Sequence, residues 1–146
     1  MTILDAYAVL AFLKDEAAAG EVEDLIHAGG ALTAVGVAEV IDHLVRLGGA
    51  DEEEASLDLA QLGLDDAVVI DGEVASAAGR FRARRYHRTR CPISLADCMA
   101  AEVARRIDRP LATSDPALLD ACHHEQIAVT VLPGTDGSRW SPPAPS

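Results

Sequence analysis

With 146 residues, 49% of them hydrophobic and 3% aromatic, the chain has the length of one domain and enough aliphatic surface for a core of Ala, Val, Leu and Ile. A net charge of −12 excludes a protein that coats nucleic acid through its overall charge. No apolar run approaches the roughly 18 residues of a membrane helix, and the start lacks the basic region of a signal peptide, which points to the cytoplasm.

The chain opens MTILDAYAVLAFL. An apolar β-type run, Ile3-Leu4, ends in Asp5, and Ala8 to Leu13 reads as a helix. Asp5 can cap that helix, or stand where ligands sit in open parallel sheets, beyond the strand ends. Asp15 to Ala28 predicts a helix, stopped by Gly29-Gly30. Ala31 to Val35 predicts a second strand. Gly36 to Leu47 is amphipathic at helical spacing. Asp51 to Glu54 begin a helix to Leu62, where the dipole favours acids. Ala67 to Ile70 predicts a third strand, and Glu73 to Tyr86 a helix. After Cys91-Pro92, Ser94 caps a helix to Ile107. Pro110 to Thr113 predicts a fourth strand, Pro116 to His123 a short helix, and Ala128 to Leu132 a fifth strand. Residues 133–146 turn Pro-, Gly- and Ser-rich and read as a loose tail, in which Trp140 can dock on the domain or on a partner. Strands apolar on both faces, alternating with helices, predict an α/β fold with a parallel sheet covered on both sides.

Cys91, Cys98 and Cys122 form no C-x-x-C pair, and the five histidines lack ligand spacing, so neither a disulfide framework nor structural zinc is expected. The charge is uneven. Arg80, Arg82, Arg84, Arg85, Arg88 and Arg90 give 80–90 a charge of +6, leaving −18 on the rest. This strip is either a solvated face or a cationic track for RNA, with Phe81, Tyr86 and His87 placed to stack on bases.

Four acids fall at strand ends or helix starts: Asp5, Glu39, Asp97 and Asp115. Parallel topology places Asp5, Glu39 and Asp115 on one sheet edge, and Asp97 joins them if its long preceding connection brings its helix round. Each has a structural use as well. Ser94-x-x-Asp97 matches a capping box, Asp115-Pro116 matches a helix start, and Glu39 shares a face with Asp42, His43 and Arg46. Asp97, however, sits about 140° round the helix from Glu102, on a face of alanines, where a carboxylate needs a counter-charge. Carboxylates about 4 Å apart repel by roughly 1–4 kcal/mol per pair. A divalent cation removes most of that, and all-oxygen sites suit Mg²⁺ or Mn²⁺. Such ions promote phosphodiester displacement.

The segments ILDAYAVLAFL, TAVGVAEVIDHL, ISLADCMAAEVA and PLATSDPALL together resemble the four motif blocks of a PIN domain, and most of all the VapC-type toxins of toxin–antitoxin pairs. The likeness runs from about Thr2 to Leu132, a PIN-like domain over 1–132. It implies a five-stranded parallel sheet in order 3-2-1-4-5 with helices on both faces. It implies a Mg²⁺-dependent endoribonuclease in which Asp5, Glu39 and Asp97 bind metal, Asp115 completes the site, and Thr113 supports the acids by hydrogen bonding. It also implies a homodimer, inhibition by a VapB-like antitoxin, and no direct DNA binding without that antitoxin. One position departs: family members commonly carry Ser or Asn two residues after the first acid, and this chain has Tyr7. A phenol there can hydrogen-bond a phosphate, or it can crowd the site. Two other readings remain beside this one. A non-catalytic PIN-like module would bind RNA or protein. A receiver-like phosphoacceptor domain would use Asp71 and Thr113, but lacks a second acid at Ala6 and a lysine after the fifth strand.

Overall fold

Ile3 and Leu4 are both buried, and they face opposite ways. Ile3 joins an apolar cluster with Phe81, Ile93 and Leu111, whereas Leu4 joins one with Val9, Leu32 and Ala112. Alternation along a strand produces this split, so helices cover both faces of the sheet. The structure, a computed structural model, describes residues 1–145. Its elements are β1 (Ile3–Leu4), α1 (Ala6–Leu13), α2 (Ala19–His27), α3 (Ala34–Asp42) with a π-helical turn (His43–Leu47), α4 (Glu52–Gln61), α5 (Gly72–Arg85), α6 (Leu95–Ile107), β2 (Leu111–Thr113), α7 (Pro116–His124) and β3 (Val129–Val131). The strands are parallel in order β1-β2-β3, with Ile3 opposite Leu111 and Leu111 opposite Val129. No helix among the described residues is long and apolar enough to cross a membrane.

Five strands were expected, and the described residues form three. The segments expected as the second and third strands, 31–35 and 67–70, are reduced to isolated parallel bridges, Ile3 to Ala31 and Thr33 to Val68. Helix capping competes with pairing there. Thr33 is the N-cap of α3, and its hydroxyl accepts from Gly36 N–H at 2.9 Å. Asp71 caps α5 through Val74 N–H at 2.9 Å. Leu4 N–H still donates to Ala31 O (2.8 Å) and Val68 N–H to Leu32 O (2.9 Å). These bonds place 31–33 beside β1, on the edge away from β2, and Val68 beside 32–33 in turn.

Two helix boundaries also differ from expectation. The helix expected from Asp15 begins at Ala19, because Asp15 sits in left-handed backbone (φ 55°) beyond α1 and the chain must turn before it can coil again. The helix expected over 36–47 begins at Ala34, and its last turn widens, with Gly48 N–H bonded to His43 O at 3.0 Å.

On one face of the sheet, Val74, Ala78 and Phe81 of α5 share a core with Cys98, Ala101 and Ala104 of α6. Phe81 is fully buried, which contributes about 1.5–3 kcal/mol. Small residues on α6 leave room for that ring. Across the outer ends of α5, α6 and α7, three arginines converge on Glu125. Arg84 and Arg85 reach it at 2.7 Å and Arg105 at 2.9 Å. The hydrogen bonds and charges of Arg84 and then Arg85 hold the Glu125 carboxyl down at about 2. All three cysteines are free.

From Pro133 to Pro145 the chain forms no helix or strand, but side chains fasten it. Arg139 pairs with Glu21 and donates to Val131 O at 3.0 Å. Trp140 Nε1 donates to Asp120 Oδ1 at 2.7 Å, and its ring meets His123 edge to face.

Candidate active site

Counting by twos from Ile3 leads to Asp5, and from Leu111 to Thr113, so both polar groups fall on the sheet face covered by α5, α6 and α7. There the Thr113 hydroxyl donates to Asp5 Oδ2 at 2.7 Å, with both residues buried. The other carboxylate oxygen accepts from Tyr7 N–H at 3.1 Å, which makes Asp5 the N-cap of α1 as well. Asp115 N–H donates to Thr113 Oγ1 at 3.1 Å, and Asp115 Oδ1 accepts from Ala117 N–H at 3.0 Å, capping α7. One hydroxyl thus links the residue after β1 to the residue that caps the helix after β2. The crevice between these strand ends is where the connections part. From β1 the chain leaves toward Ala31, and it returns on the other edge as β2, the arrangement in which open parallel sheets bind ligands.

Asp97 lies at the start of α6, and both halves of its capping box are formed. Ser94 N–H donates to Asp97 Oδ2 (3.1 Å) and Asp97 N–H to Ser94 Oγ (3.0 Å). The cap does not remove Asp97 from the other acids. Burial and then the charge of Asp97 push the Asp5 carboxyl up to about 7, against the Thr113 and Tyr7 hydrogen bonds, and Glu39 adds to the rise. Glu39 is raised by burial and by Asp97. Asp97 is raised by burial and, against the Ser94 hydrogen bonds, by Asp115. The connection after α5 therefore does bring the α6 start round to the strand-end edge: Asp97 acts on both Asp5 and Glu39, and Asp115 acts on Asp97.

Among the described residues, none of the ion pairs includes any of these four carboxylates. Nor do any three carboxylate, imidazole or thiol groups there stand close enough together to grip one ion. The acids therefore repel one another without an ion-pair partner and without a closed ligand cage among the described residues. An oxygen-only donor set with uncompensated charge fits a hard divalent cation in chemistry and in sign.

Beside Asp5 and Asp115 opens a cleft of ≈ 290 Å³, lined also by Tyr7, Lys14 and, from the tail, Gly134 and Thr135. Tyr7 does not fill it: the residue is 59% exposed. Its ring meets His43 edge to face at 6.1 Å, and Lys14 Nζ lies 2.7 Å from His43 Nε2. Sequence reasoning did not place Lys14 and His43 at the site. The available signal was the i,i+4 spacing of Glu39 and His43, which puts both on one helical face.

The arginine strip divides. Arg84 and Arg85 are taken up by Glu125. Arg82 donates to Ile93 O at 2.8 Å and stacks on Tyr86 at 4.2 Å, and Arg80 donates to Ser76 at 2.6 Å. Arg88 and Arg90 lie on an exposed turn closed by the His87–Cys91 bridge. A groove of ≈ 340 Å³ runs between that turn and α7, lined by Arg84, Arg85, His87, Arg90 and His124.

Three solved structures share this fold. FitAB bound to an IR36 DNA fragment is 22% identical, covering 89% of this chain and 94% of that one, with a TM-score of 0.68. VapBC2 from Rickettsia felis, bound to a DNA fragment from their promoter, is 15% identical over 88% and 96%, with a TM-score of 0.58. A toxin–antitoxin complex from Klebsiella pneumoniae is 13% identical over 79% and 87%, with a TM-score of 0.56. No curated protein matches the sequence. The PIN domain family matches residues 2–123, from just before β1 to the end of α7 and across all four acids. The chain therefore belongs to the PIN domain family.

Proposed function

We propose that this PIN domain is the endoribonuclease toxin of a toxin–antitoxin pair, hydrolysing RNA phosphodiester bonds with Mg²⁺, or Mn²⁺ in its place. The observation that carries the reading is Asp5: a buried carboxylate hydrogen-bonded to Thr113, raised to about 7 by burial and by neighbouring acids, and in no ion pair among the described residues. Asp5, Glu39 and Asp97 would hold the ion, and Asp115 would complete the site. When bound, the ion supplies charge neutralisation and a site for activating water. Thr113 holds the Asp5 carboxylate in one orientation, and its second hydrogen bond, from Asp115 N–H, fixes that hydroxyl in turn. The relatives solved as toxin–antitoxin complexes support an antitoxin partner, and the resemblance to VapC-type toxins adds a homodimer and a cytoplasmic place. We also read 31–33 and 67–68 as frayed outer strands of a five-stranded sheet in order 3-2-1-4-5, and the tail after residue 132 as an appendage docked on domain 1–132.

The direct test incubates antitoxin-free protein with RNA. Cleavage should require added Mg²⁺ or Mn²⁺ and stop with EDTA. The separation of the carboxylates favours one other reading, a non-catalytic PIN-like module, and RNA binding that never leads to cleavage with either metal would establish it.

For the strip, Arg88→Ala with Arg90→Ala should weaken RNA binding and lower the slope of log affinity against log salt by about 0.7 for each phosphate left without its arginine. Arg84→Ala with Arg85→Ala should change that slope less and lower stability more, since both are held by Glu125. Fluorescence anisotropy across a salt series and urea melts separate the two effects.

A further inference from the structure

We propose that Tyr7, His43 and Lys14 form a nucleotide subsite on the rim of the acid cleft, where the Tyr7 ring stacks on one unpaired base of single-stranded RNA and the Lys14 ammonium takes the adjoining phosphate. The subsite rests on the nuclease reading of the acids and says which part of the substrate is held beside them. Three observations carry it. First, Tyr7 is 59% exposed at the mouth of the cleft that Asp5 and Asp115 line, and its structural duty is done by its backbone N–H, which donates to the Asp5 cap of α1. The side chain is thus free of the fold, and a ring this exposed keeps a face open to solvent. Second, the His43 ring stands edge to face against Tyr7 and is presented by the π-helical turn that widens the end of α3. Such turns are rare and recur at functional sites. Third, Lys14 is the sole lysine of the chain. It is absent from every ion pair among the described residues although Glu16 lines the same cleft, and the imidazole nitrogen 2.7 Å away steadies it. The ammonium remains available for an anion that arrives with the substrate. Arg46, one turn further along, is occupied by Asp42 at 3.0 Å and does not compete.

An aromatic face beside one cation suits a single-stranded nucleotide, because every base has a π-face and stacking tolerates sequence. A rim position also explains how a bulky residue stands two places after Asp5 without obstructing the acids: it lies where a base would rest while its phosphodiester faces the carboxylates.

The test uses a short single-stranded oligoribonucleotide. Binding is read by anisotropy in an Asp97→Asn background, and steady-state cleavage in the otherwise unchanged chain. Tyr7→Ala should weaken binding about tenfold, with the loss falling on KM more than on kcat, whereas Tyr7→Phe and Tyr7→Trp should retain binding. One abasic position in the oligonucleotide should weaken binding as much as Tyr7→Ala does, and should add nothing to that variant. Lys14→Ala should lower the salt slope by about 0.7. Thermal melts should match the parent, since the Asp5 cap uses the backbone of Tyr7. RNA cleavage that proceeds with KM and affinity unchanged in Tyr7→Ala would overturn the subsite and leave the nuclease reading standing. Absence of both binding and cleavage in the parent chain would overturn both.

Discussion

Asp5→Asn and Asp97→Asn should each lower RNA cleavage by about 100-fold or more, the scale of losing one electrostatic stabiliser of a transition state, without unfolding the chain. Both positions also cap helices, and an amide can serve as a cap. Asn at 5 can still accept from Tyr7 N–H, and Asn at 97 can still accept from Ser94 N–H. What each variant loses is one negative charge of the acid group in which Asp97 acts on Asp5 and Glu39. If the acids were only caps, rates would be unchanged, so the pair of substitutions separates the two uses. Asp65→Asn, an exposed acid outside the group, serves as the control and should leave the rate alone. Cleavage that survives both Asp5→Asn and Asp97→Asn, or that ignores EDTA, would refute the metal-dependent mechanism.

The second expected effect is on stability. The Asp5 carboxyl rises from 3.8 to about 7 on folding. The folded chain therefore holds a proton that the unfolded chain gives up between pH 4 and 7. Where the folded state binds more protons, stability falls as pH rises. The contribution is most favourable near pH 4, declines through the interval, and levels off above about 7. A shift of this size corresponds to about 4 kcal/mol. Glu39 and Asp97 are shifted the same way and deepen the decline. Glu125 is shifted oppositely, from 4.5 to about 2, and its contribution is lost progressively as pH falls from about 4.5 toward 2, below the pH 5–8 range compared next. In metal-free buffer, urea melts should show lower stability at pH 8 than at pH 5. Asp5→Asn should flatten that dependence and stabilise the metal-free chain at pH 8. Mg²⁺ should restore the parent at pH 8, by about 2.7 kcal/mol at a hundredfold excess over its dissociation constant. Equal pH profiles for the parent and Asp5→Asn would show that burying this carboxylate costs nothing.

Much of this was legible in the residues, for physical reasons. The alternation of Ile3 with Leu4 and of Leu111 with Ala112 announces a sheet buried on both faces. A polar residue two places on, Asp5 or Thr113, then has to lie at the strand end. The acids stood out because each occupies a strand end or helix start, where parallel topology gathers them. Strand length was less legible, since Thr33 and Asp71 begin helices in places where apolar runs suggest more strand. The arginine strip read as one unit because its counter-ion, Glu125, is 41 residues from Arg84 and 40 from Arg85 along the chain. Helical spacing puts His43 on the Glu39 face, but its meeting with Lys14, 29 residues away along the chain, is a tertiary contact that periodicity does not show.

The family match ends at residue 123, yet Gly134 and Thr135 form part of the cleft wall, and Arg139 and Trp140 pin the segment that carries them. The acids thus lie within the family match, and this part of the wall lies beyond it. On the proposed reading, substitution within the acid blocks alters the chemistry itself, whereas residues 133–145 hold no strand, so the wall they form can change without touching the sheet. On the proposed ribonuclease reading, grafting the last fourteen residues from another PIN domain is a route to changing which RNA the cleft admits while leaving the four acids in place.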